Sequence, residues 1–379
     1  MIKVALLMNL EIGYCRACMH GILEYPHSSR EWFFREWRND PEEIRKLKNW
    51  KPDALIGHIY SAKIAKELKT WNIPVINTTE TLPDIHFPTV DVNHRKAGKM
   101  AAQYFLEKGY KNFAYLGSRW ARFSIDRSKG FQETLSSKNY ELHKFYADFI
   151  PKYQNNSNDN SIESALLNWI LKLPKPIAIL ASNDIPARFL TQICYNHKIR
   201  IPDEVAILGI DNDESECRLS KIPLSSIALN AEKIGYVAAK TLDQRLQQSK
   251  VPKRQQLDPL YIVPRQSTDL FISKSESINE ALQFIQENSR SIKNVLEVSQ
   301  AVGISRRSLE KKFQNHLGRT LLQQIHLSKL SNAQRLLKET HLPIHQIPSQ
   351  SGFLSERQMN TLFRKFLHLT PRQFRQKET

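Results

Sequence analysis

Several ingredients of common protein chemistries are scarce in this chain of 379 residues. There are four cysteines, too few for a disulfide framework at this length, so a reducing compartment is the default. There are twelve glycines and no Gly-rich phosphate loop. The twelve histidines never take the HExxH spacing, and no second CxxC or histidine completes a zinc set with Cys15 and Cys18. No metal and no cofactor is therefore expected. No apolar run approaches the ~18–20 residues of a membrane span, so no membrane association is expected. The apolar stretch Val4–Met8 meets Asn9 and Glu11 at once; it is too short for a signal peptide and reads as a first buried strand. No nucleophile stands beside a positioned base, which argues against an enzyme.

The remainder is ordinary for a globular protein, with 41% apolar and 25% charged residues, and its length suits two or three domains. The charge is not ordinary. Lys and Arg number 55 against 38 acids, a net +17. Residues 275–379 carry +8 over 105 residues and contain no Asp, whereas residues 1–274 carry +9 over more than twice that length. Localised positive charge points to nucleic acid.

The two parts differ in pattern. Over residues 1–268, short apolar runs at Lys3–Met8, Ala54–Ile59, Pro74–Asn77, Phe113–Gly117, Ile177–Ala181 and Val205–Ile210 have the length and flanks of buried parallel strands. Helical patterns lie between them at Pro41–Trp50, Ala62–Trp71, Arg95–Lys108, Ser161–Lys172, Pro186–Asn196 and Ala231–Gln247. This alternation predicts a doubly wound α/β fold, whose ligands bind beyond the carboxyl ends of the strands. The residues just past those ends are Asn9, His58, Tyr60, Asn183, Asp184 and Asp211. A linker-like stretch, Ser273-Lys-Ser-Glu-Ser277, overlaps the linker placed at 269–276, and residues 277–379 read as short helices alone.

Within that all-α part, Asn294-Val-Leu-Glu297 resembles a capping box, Gly303 suits a tight turn, and Ser305 caps a helix Arg306–His316 stopped at Gly318. Leu309, Phe313 and Leu317 form its apolar stripe; Arg306, Arg307, Glu310, Lys311 and Gln314 lie on the other face. Two short helices about a Gly turn, the second with a basic outer face, describe a helix-turn-helix. The pattern recurs: Gly352 repeats Gly303, Ser355 repeats Ser305, and Met359 and Phe363 repeat Leu309 and Phe313. Between the units a helix is predicted over Leu321–Glu339, its apolar side formed by Leu322, Ile325, Leu330, Ala333, Leu336 and Leu337. Nineteen residues at ~1.5 Å give ~28 Å, close to the ~34 Å between successive major-groove faces.

Gly303-Ile-Ser-Arg-Arg-Ser-Leu-Glu-Lys-Lys-Phe313, the long middle helix and Gly352-Phe353…Phe363-Arg-Lys-Phe366…Thr370-Pro371 resemble the double helix-turn-helix of the AraC/XylS regulators. The resemblance covers about 100 residues and implies operator DNA as partner. It carries the base-reading role onto Arg306, Arg307, Glu310 and Lys311, then Glu356, Arg357, Asn360 and Thr361. Pro348, His368 and Thr361 depart from the family pattern. An interior proline costs ~3 kcal/mol in a helix, so the second unit is expected to read bases less strongly.

Thr89-Val-Asp-Val-Asn93, Phe113-Ala-Tyr-Leu-Gly117, Arg127-Ser-Lys-Gly-Phe131, Ala181-Ser-Asn-Asp184, Ile201-Pro-Asp-Glu-Val-Ala-Ile-Leu-Gly-Ile-Asp211 and Leu224-Ser-Ser-Ile227 resemble the effector domain of LacI/GalR repressors. That resemblance implies a periplasmic-binding-protein-like fold of two lobes closing on a sugar. Asn93, Arg127, Asn183, Asp184 and Asp211 are then the polar clamps, with Asn9, Tyr14 and Arg16 in the first strand–helix loop and His58 and Tyr60 further on as additional contacts. Asn93 in place of an Asp, and Leu229 in place of a Gln, imply a shifted sugar preference. An effector domain ahead of an AraC-type tail is an unusual order. Together the resemblances imply a cytoplasmic, homodimeric transcription regulator responding to a small sugar, D-xylose before others, and contacting RNA polymerase if it activates. Two other readings are weighed: a sugar-binding component of transport or chemotaxis, which leaves the helical tail unexplained, and a thiol oxidoreductase built on Cys15 and Cys18.

Overall fold

The apolar runs are buried because they form the inner strands of two sheets. The computed structural model describes residues 1–26, 31–83, 86–147, 159–269, 275–317, 319–340, 342–367 and 369–378. It divides into two compact units, Met1–Leu106 with Lys111–Asp269, and Leu270–Thr379 with Glu107–Tyr110. Residues 270–274, within the linker expected at 269–276, lie outside the described residues.

In the first unit the chain alternates as expected: β1 (Ile2–Leu7), α1 (Gly13–Leu23), β2 (Trp32–Trp37), α2 (Pro41–Trp50), β3 (Ala54–Gly57), α3 (Ala62–Leu68), β4 (Val75–Asn77) and β5 (Thr89–Val92). Then follow α4 (His94–Glu107), β6 (Asn112–Gly117), α5 (Arg122–Ser136), β7 (Leu142–Tyr146), α6 (Asp159–Lys172), β8 (Ile177–Ala181), α7 (Asp184–Asn196), β9 (Val205–Asp211), α8 (Glu214–Leu219) and β10 (Ser225–Ala228). The chain closes with α9 (Ala231–Leu246), β11 (Arg254–Leu257) and β12 (Ile262–Val263). One sheet has the order β11-β5-β4-β3-β1-β2 and the other β12-β10-β9-β8-β6-β7. All pairings are parallel except β10 with β12.

Each sheet is the spine of a lobe. The first carries a cluster around Leu7, Ile44, Leu47 and Leu55, the second one around Leu116, Ile179, Leu190 and Ile207, all fully buried. At ~25 cal/mol per Å2 of apolar surface, such burial is the main favourable term. The chain crosses between lobes after β5, after β10 and between β11 and β12. The crossings are tied together: the Asn93 N–H donates to the Leu257 carbonyl at 2.7 Å, and the Leu260 N–H to the Ala228 carbonyl at 2.9 Å. Helix α9 returns to the first lobe and crosses α1 closely. A Cβ on Gly21 would stand 1.8 Å from the Glu232 carbonyl oxygen, and one on Gly235 would stand 1.8 Å from that of Cys18. Tyr14 and Arg16 lie in the first turn of α1, not in a loop as expected.

The second unit contains α10 (Glu276–Asn288), α11 (Val295–Ala301), α12 (Arg306–Leu317), α13 (Leu321–Glu339), α14 (Ile347–Ser351) after a 3-10 turn at Ile344–Gln346, α15 (Glu356–Leu367) and α16 (Pro371–Glu378). It has two cores. One gathers Ile278, Ile285, Val298, Leu309, Phe313, Leu321 and Ile325; the other gathers Leu330, Leu337, Ile347, Met359, Phe363 and Phe374. Helix α13 serves both.

Two expectations are corrected. Leu322 is 48% exposed, and Leu321 is the residue buried at the start of α13; Leu336, half-buried, packs against the second core as expected. Pro348 does not break a helix, because α14 starts only at Ile347 and places it in the first turn, where no intrahelical N–H bond is due. Gly318 and His368 lie outside the described residues, and so does the side chain of Leu317.

Candidate functional site

The carboxyl ends of the strands in both lobes converge on one polar cluster in the first unit. Asp91, near the end of β5, accepts from the Val92 N–H at 2.7 Å, the Glu80 N–H at 2.5 Å and His94 Nε2 at 3.0 Å. Burial alone would raise its pKa; His94 and the two backbone donors outweigh that and hold it below the usual carboxylate range. Tyr14 presents its hydroxyl to the same group, 3.1 Å from Asp91 Oδ1 and 2.9 Å from the Thr78 carbonyl.

Arg127, from α5, is 3% exposed. Its Nε donates to His94 Nδ1 at 3.3 Å, one terminal nitrogen donates to the Ser182 carbonyl, and the other lies 3.4 Å from Asp211 Oδ1. The guanidinium also stacks on the Phe123 ring, 5.1 Å from its centroid. Asp211 ends β9 with φ at +115°, and Asn212 follows at +52°. Left-handed backbone at a non-glycine residue costs ~1–3 kcal/mol and gathers at functional sites. Burial pushes the Asp211 carboxyl up to about 6, with the Arg127 guanidinium pulling it back.

Two further side chains of the site hold buried polar atoms that have no hydrogen-bond partner among the described residues. Asn183 starts α7 without capping it, and its Oδ1 is unpaired; so is His58 Nδ1, past the end of β3. The His58 ring lies 5.8 Å from that of Tyr14 and 5.9 Å from that of Tyr60. Burial lowers its pKa to about 4, so the imidazole is neutral near pH 7.

Other expected clamps point elsewhere. Asp184 is 1% exposed, and its oxygens are occupied inside the lobe by Ser226 Oγ at 2.6 Å and the Asp213 N–H at 2.8 Å. It braces the β9–β10 end of the sheet; burial and nearby Asp211 raise its pKa well above normal. Asn93 Oδ1 accepts the Lys96 N–H at 3.0 Å, and its Nδ2 reaches Asp258 at 3.3 Å beside the crossings. Asn9 Oδ1 accepts the Glu11 N–H at 3.2 Å and shapes the turn after β1. Sequence reasoning missed Asp91, His94 and Asp213. The first two flank the Val92-Asn93 crossing, and only the fold shows that they share a site with Arg127. Cys15 and Cys18 are free and fully buried, and burial pushes the Cys15 thiol to about 12 and Cys18 well up. Thiols so protonated lack the thiolate that redox exchange needs.

In the second unit the helix-turn-helix signals have the expected geometry. Asn294 Oδ1 accepts the Leu296 and Glu297 N–H groups, Ser305 Oγ that of Ser308, and Ser355 Oγ that of Gln358. Gly303 and Gly352 have φ of +71° and +85°. Arg306, Arg307 and Lys311 are exposed on α12, and Glu356, Arg357 and Thr361 on α15. Glu310 and Asn360 are half-buried. Arg306 Nε pairs with Glu310 at 2.9 Å, and Thr361 Oγ1 donates to the Arg357 carbonyl at 2.9 Å.

Comparison with known proteins gives a family match in each part of the chain. Residues 102–268 match the periplasmic binding protein-like domain family and residues 298–377 a helix-turn-helix domain family. The chain is 29% identical to the xylose operon regulatory protein of Escherichia coli K12, over 98% of this chain and 96% of that protein. It is equally similar to the protein of that name from Haemophilus influenzae, over 98% of each. Among solved structures, a xylose-binding transcription activator matches with a TM-score of 0.65 at 27% identity, over the whole of this chain and 98% of the other.

Proposed function

Because this chain belongs with the xylose operon regulatory proteins in domain content, domain order and length, we propose that it is a sugar-responsive transcription activator with D-xylose as its effector. Residues 1–268 sense the sugar, 269–276 connect, and 277–379 bind operator DNA.

One observation carries the sugar reading: buried polar atoms on both lobes that no described residue satisfies accompany one buried guanidinium. Sugar hydroxyls donate and accept at once, so they satisfy His58 Nδ1 in either tautomer, donate to Asn183 Oδ1, and accept from Arg127. Tyr14, His58, Tyr60 and Phe123 supply apolar ring faces for the sugar's C–H edges. Asp211 accepts a further hydroxyl. Asn9, Asn93 and Asp184 support the walls of the site.

The mechanism is population shift. Sugar binds the closed arrangement of the lobes better than the open one, and that difference alone moves the equilibrium. In a homodimer this alters how the two tails meet operator DNA, where Arg306, Arg307, Glu310, Lys311, Glu356, Arg357, Asn360 and Thr361 face the bases. The protein acts in the bacterial cytoplasm, at promoters where RNA polymerase is its further partner. Titration calorimetry against D-xylose, L-arabinose, D-ribose and D-glucose, with footprinting on the operator in each sugar, tests this. Binding of D-xylose with a sugar-dependent footprint is expected. A chain that binds none of the four sugars, or whose footprint ignores the one it binds, overturns the reading.

A further inference from the structure

The guanidinium assigned to the sugar is held by a residue that no sequence motif marked. His94 is the first residue of α4, three positions beyond Asp91, across the segment where the chain leaves the first sheet. It is 4% exposed. Its two ring nitrogens face opposite partners: Nε2 lies 3.0 Å from Asp91 Oδ2, and Nδ1 lies 3.3 Å from Arg127 Nε.

These contacts define its proton. Arginine donates from every nitrogen and accepts at none, so His94 Nδ1 must offer a lone pair. The single ring proton then sits on Nε2 and points at Asp91, whose carboxylate accepts it. The imidazole is a bridge with a direction, accepting from Arg127 and donating to Asp91. Arg127 is thereby fixed through Nε, through the Ser182 carbonyl and through the Phe123 face. Only the nitrogen 3.4 Å from Asp211 remains loosely engaged.

We propose that His94 is a positioning residue for the effector: it aims the free edge of the Arg127 guanidinium at the sugar and links that aim to the first lobe through Asp91. This rests on the sugar-binding reading above. The charged and titratable groups facing His94 are Asp91 from β5, Arg127 from α5 and Asp211 from β9, with Tyr14 from α1 behind Asp91.

Calorimetry with D-xylose on the full chain tests the bridge. In His94→Asn the amide oxygen can stand where Nδ1 stood and accept from Arg127. In His94→Gln the amide reaches toward Asp91 instead, and His94→Leu offers neither bond. We expect His94→Asn to bind within about 3-fold of wild type and the other two at least about 10-fold more weakly, the effect of one charge-assisted hydrogen bond. Arg127→Lys removes the Nε donor, so adding His94→Leu to it should change affinity by less than about 2-fold. Equal loss in all three His94 variants, or further loss in the double variant, reduces His94 to packing and overturns the proposal. Wild-type affinity in His94→Leu overturns it too while sparing the functional reading; failure of wild type to bind any sugar overturns both.

Discussion

Gly13 donates its backbone N–H to Asp213 Oδ2 at 2.9 Å, joining the first turn of α1 in one lobe to the start of α8 in the other. Arg16 adds a 3.4 Å contact to the same carboxylate. These bonds exist only while the lobes are together. A Cβ on Gly13 would stand 2.3 Å from that oxygen, so Gly13→Ala must displace the carboxylate and break the bond. Hydrogen bonds to charged groups contribute ~1.5–3 kcal/mol. Gly13→Ala is expected to weaken sugar binding roughly tenfold or more, at about 1.4 kcal/mol per decade. Unliganded thermal stability should change little. Calorimetry and thermal unfolding together check this; unchanged affinity would remove the latch.

Asp211 makes the site costly. Its carboxyl is raised to about 6, above the ~3.9 of an unfolded Asp, so the native state binds more protons than the unfolded state between those values. Stability contributed by this group is therefore greatest in acid and falls as pH rises to about 6, then stays low. Asp211→Asn removes that penalty. The variant should melt above wild type at pH 7.5, with the margin shrinking as pH falls toward 4, and it should lose the sugar response. Thermal unfolding across that range checks the sign. A margin that widens in acid would contradict it.

The pattern of what the sequence disclosed is physical. The runs predicted at Ile177–Ala181 and Val205–Ile210 are inner strands, apolar because both faces are covered. β2, β7, β11 and β12 escaped notice, and they are the four edge strands of the two sheets. Their half-exposed faces carry residues such as Arg35, Lys144 and Gln255, which erase the apolar run. β5 and β10 lie inside but carry Asp91, Ser225 and Ser226, polar groups kept for the site and its bracing. Helix α1 was hidden by Gly13 and Gly21, required by close approach and poor for helix propensity. The tail was legible because caps, turn glycines and apolar spacing agree there and recur. In the candidate site Arg127 and Asp211 were visible as motifs. The contacts that make Asp91 and His94 part of it come from chain crossings that no local pattern reports.

In the tail, the second unit should read DNA about as well as the first. Pro348 sits in a helix's first turn and strains nothing. Arg307 and Arg357 both stand exposed near the starts of α12 and α15. Losing a good base contact costs ~1–3 kcal/mol. Arg307→Ala and Arg357→Ala should each weaken operator binding by about that much, at one salt concentration. Thr361 already spends its hydroxyl on the Arg357 carbonyl, so Thr361→Ala should cost less than ~1 kcal/mol. Fluorescence anisotropy on one operator ranks the three; a Thr361→Ala loss larger than that of Arg357→Ala would contradict the assignment.

The tail should also act alone. Among the described residues its two cores gather side chains between Ile278 and Phe374, and its net charge of +8 lies within residues 275–379. A fragment of those residues should fold and bind operator DNA without sugar. Because each neutralised phosphate releases condensed counterions, log affinity should fall linearly with log salt, by ~0.9 for each phosphate contact. Two groove helices with basic flanks imply several such contacts, so affinity should drop by at least about a hundredfold between 50 and 200 mM salt. Arg307→Ala should lower affinity and relax preference at one base position. Replacing a lysine that touches only phosphate should lower affinity for all sequences and reduce the slope by about one. Circular dichroism establishes that the fragment is helical, and anisotropy titrations at four salt concentrations give the slope. A folded fragment that binds no DNA at 50 mM salt would show that operator binding requires the effector unit.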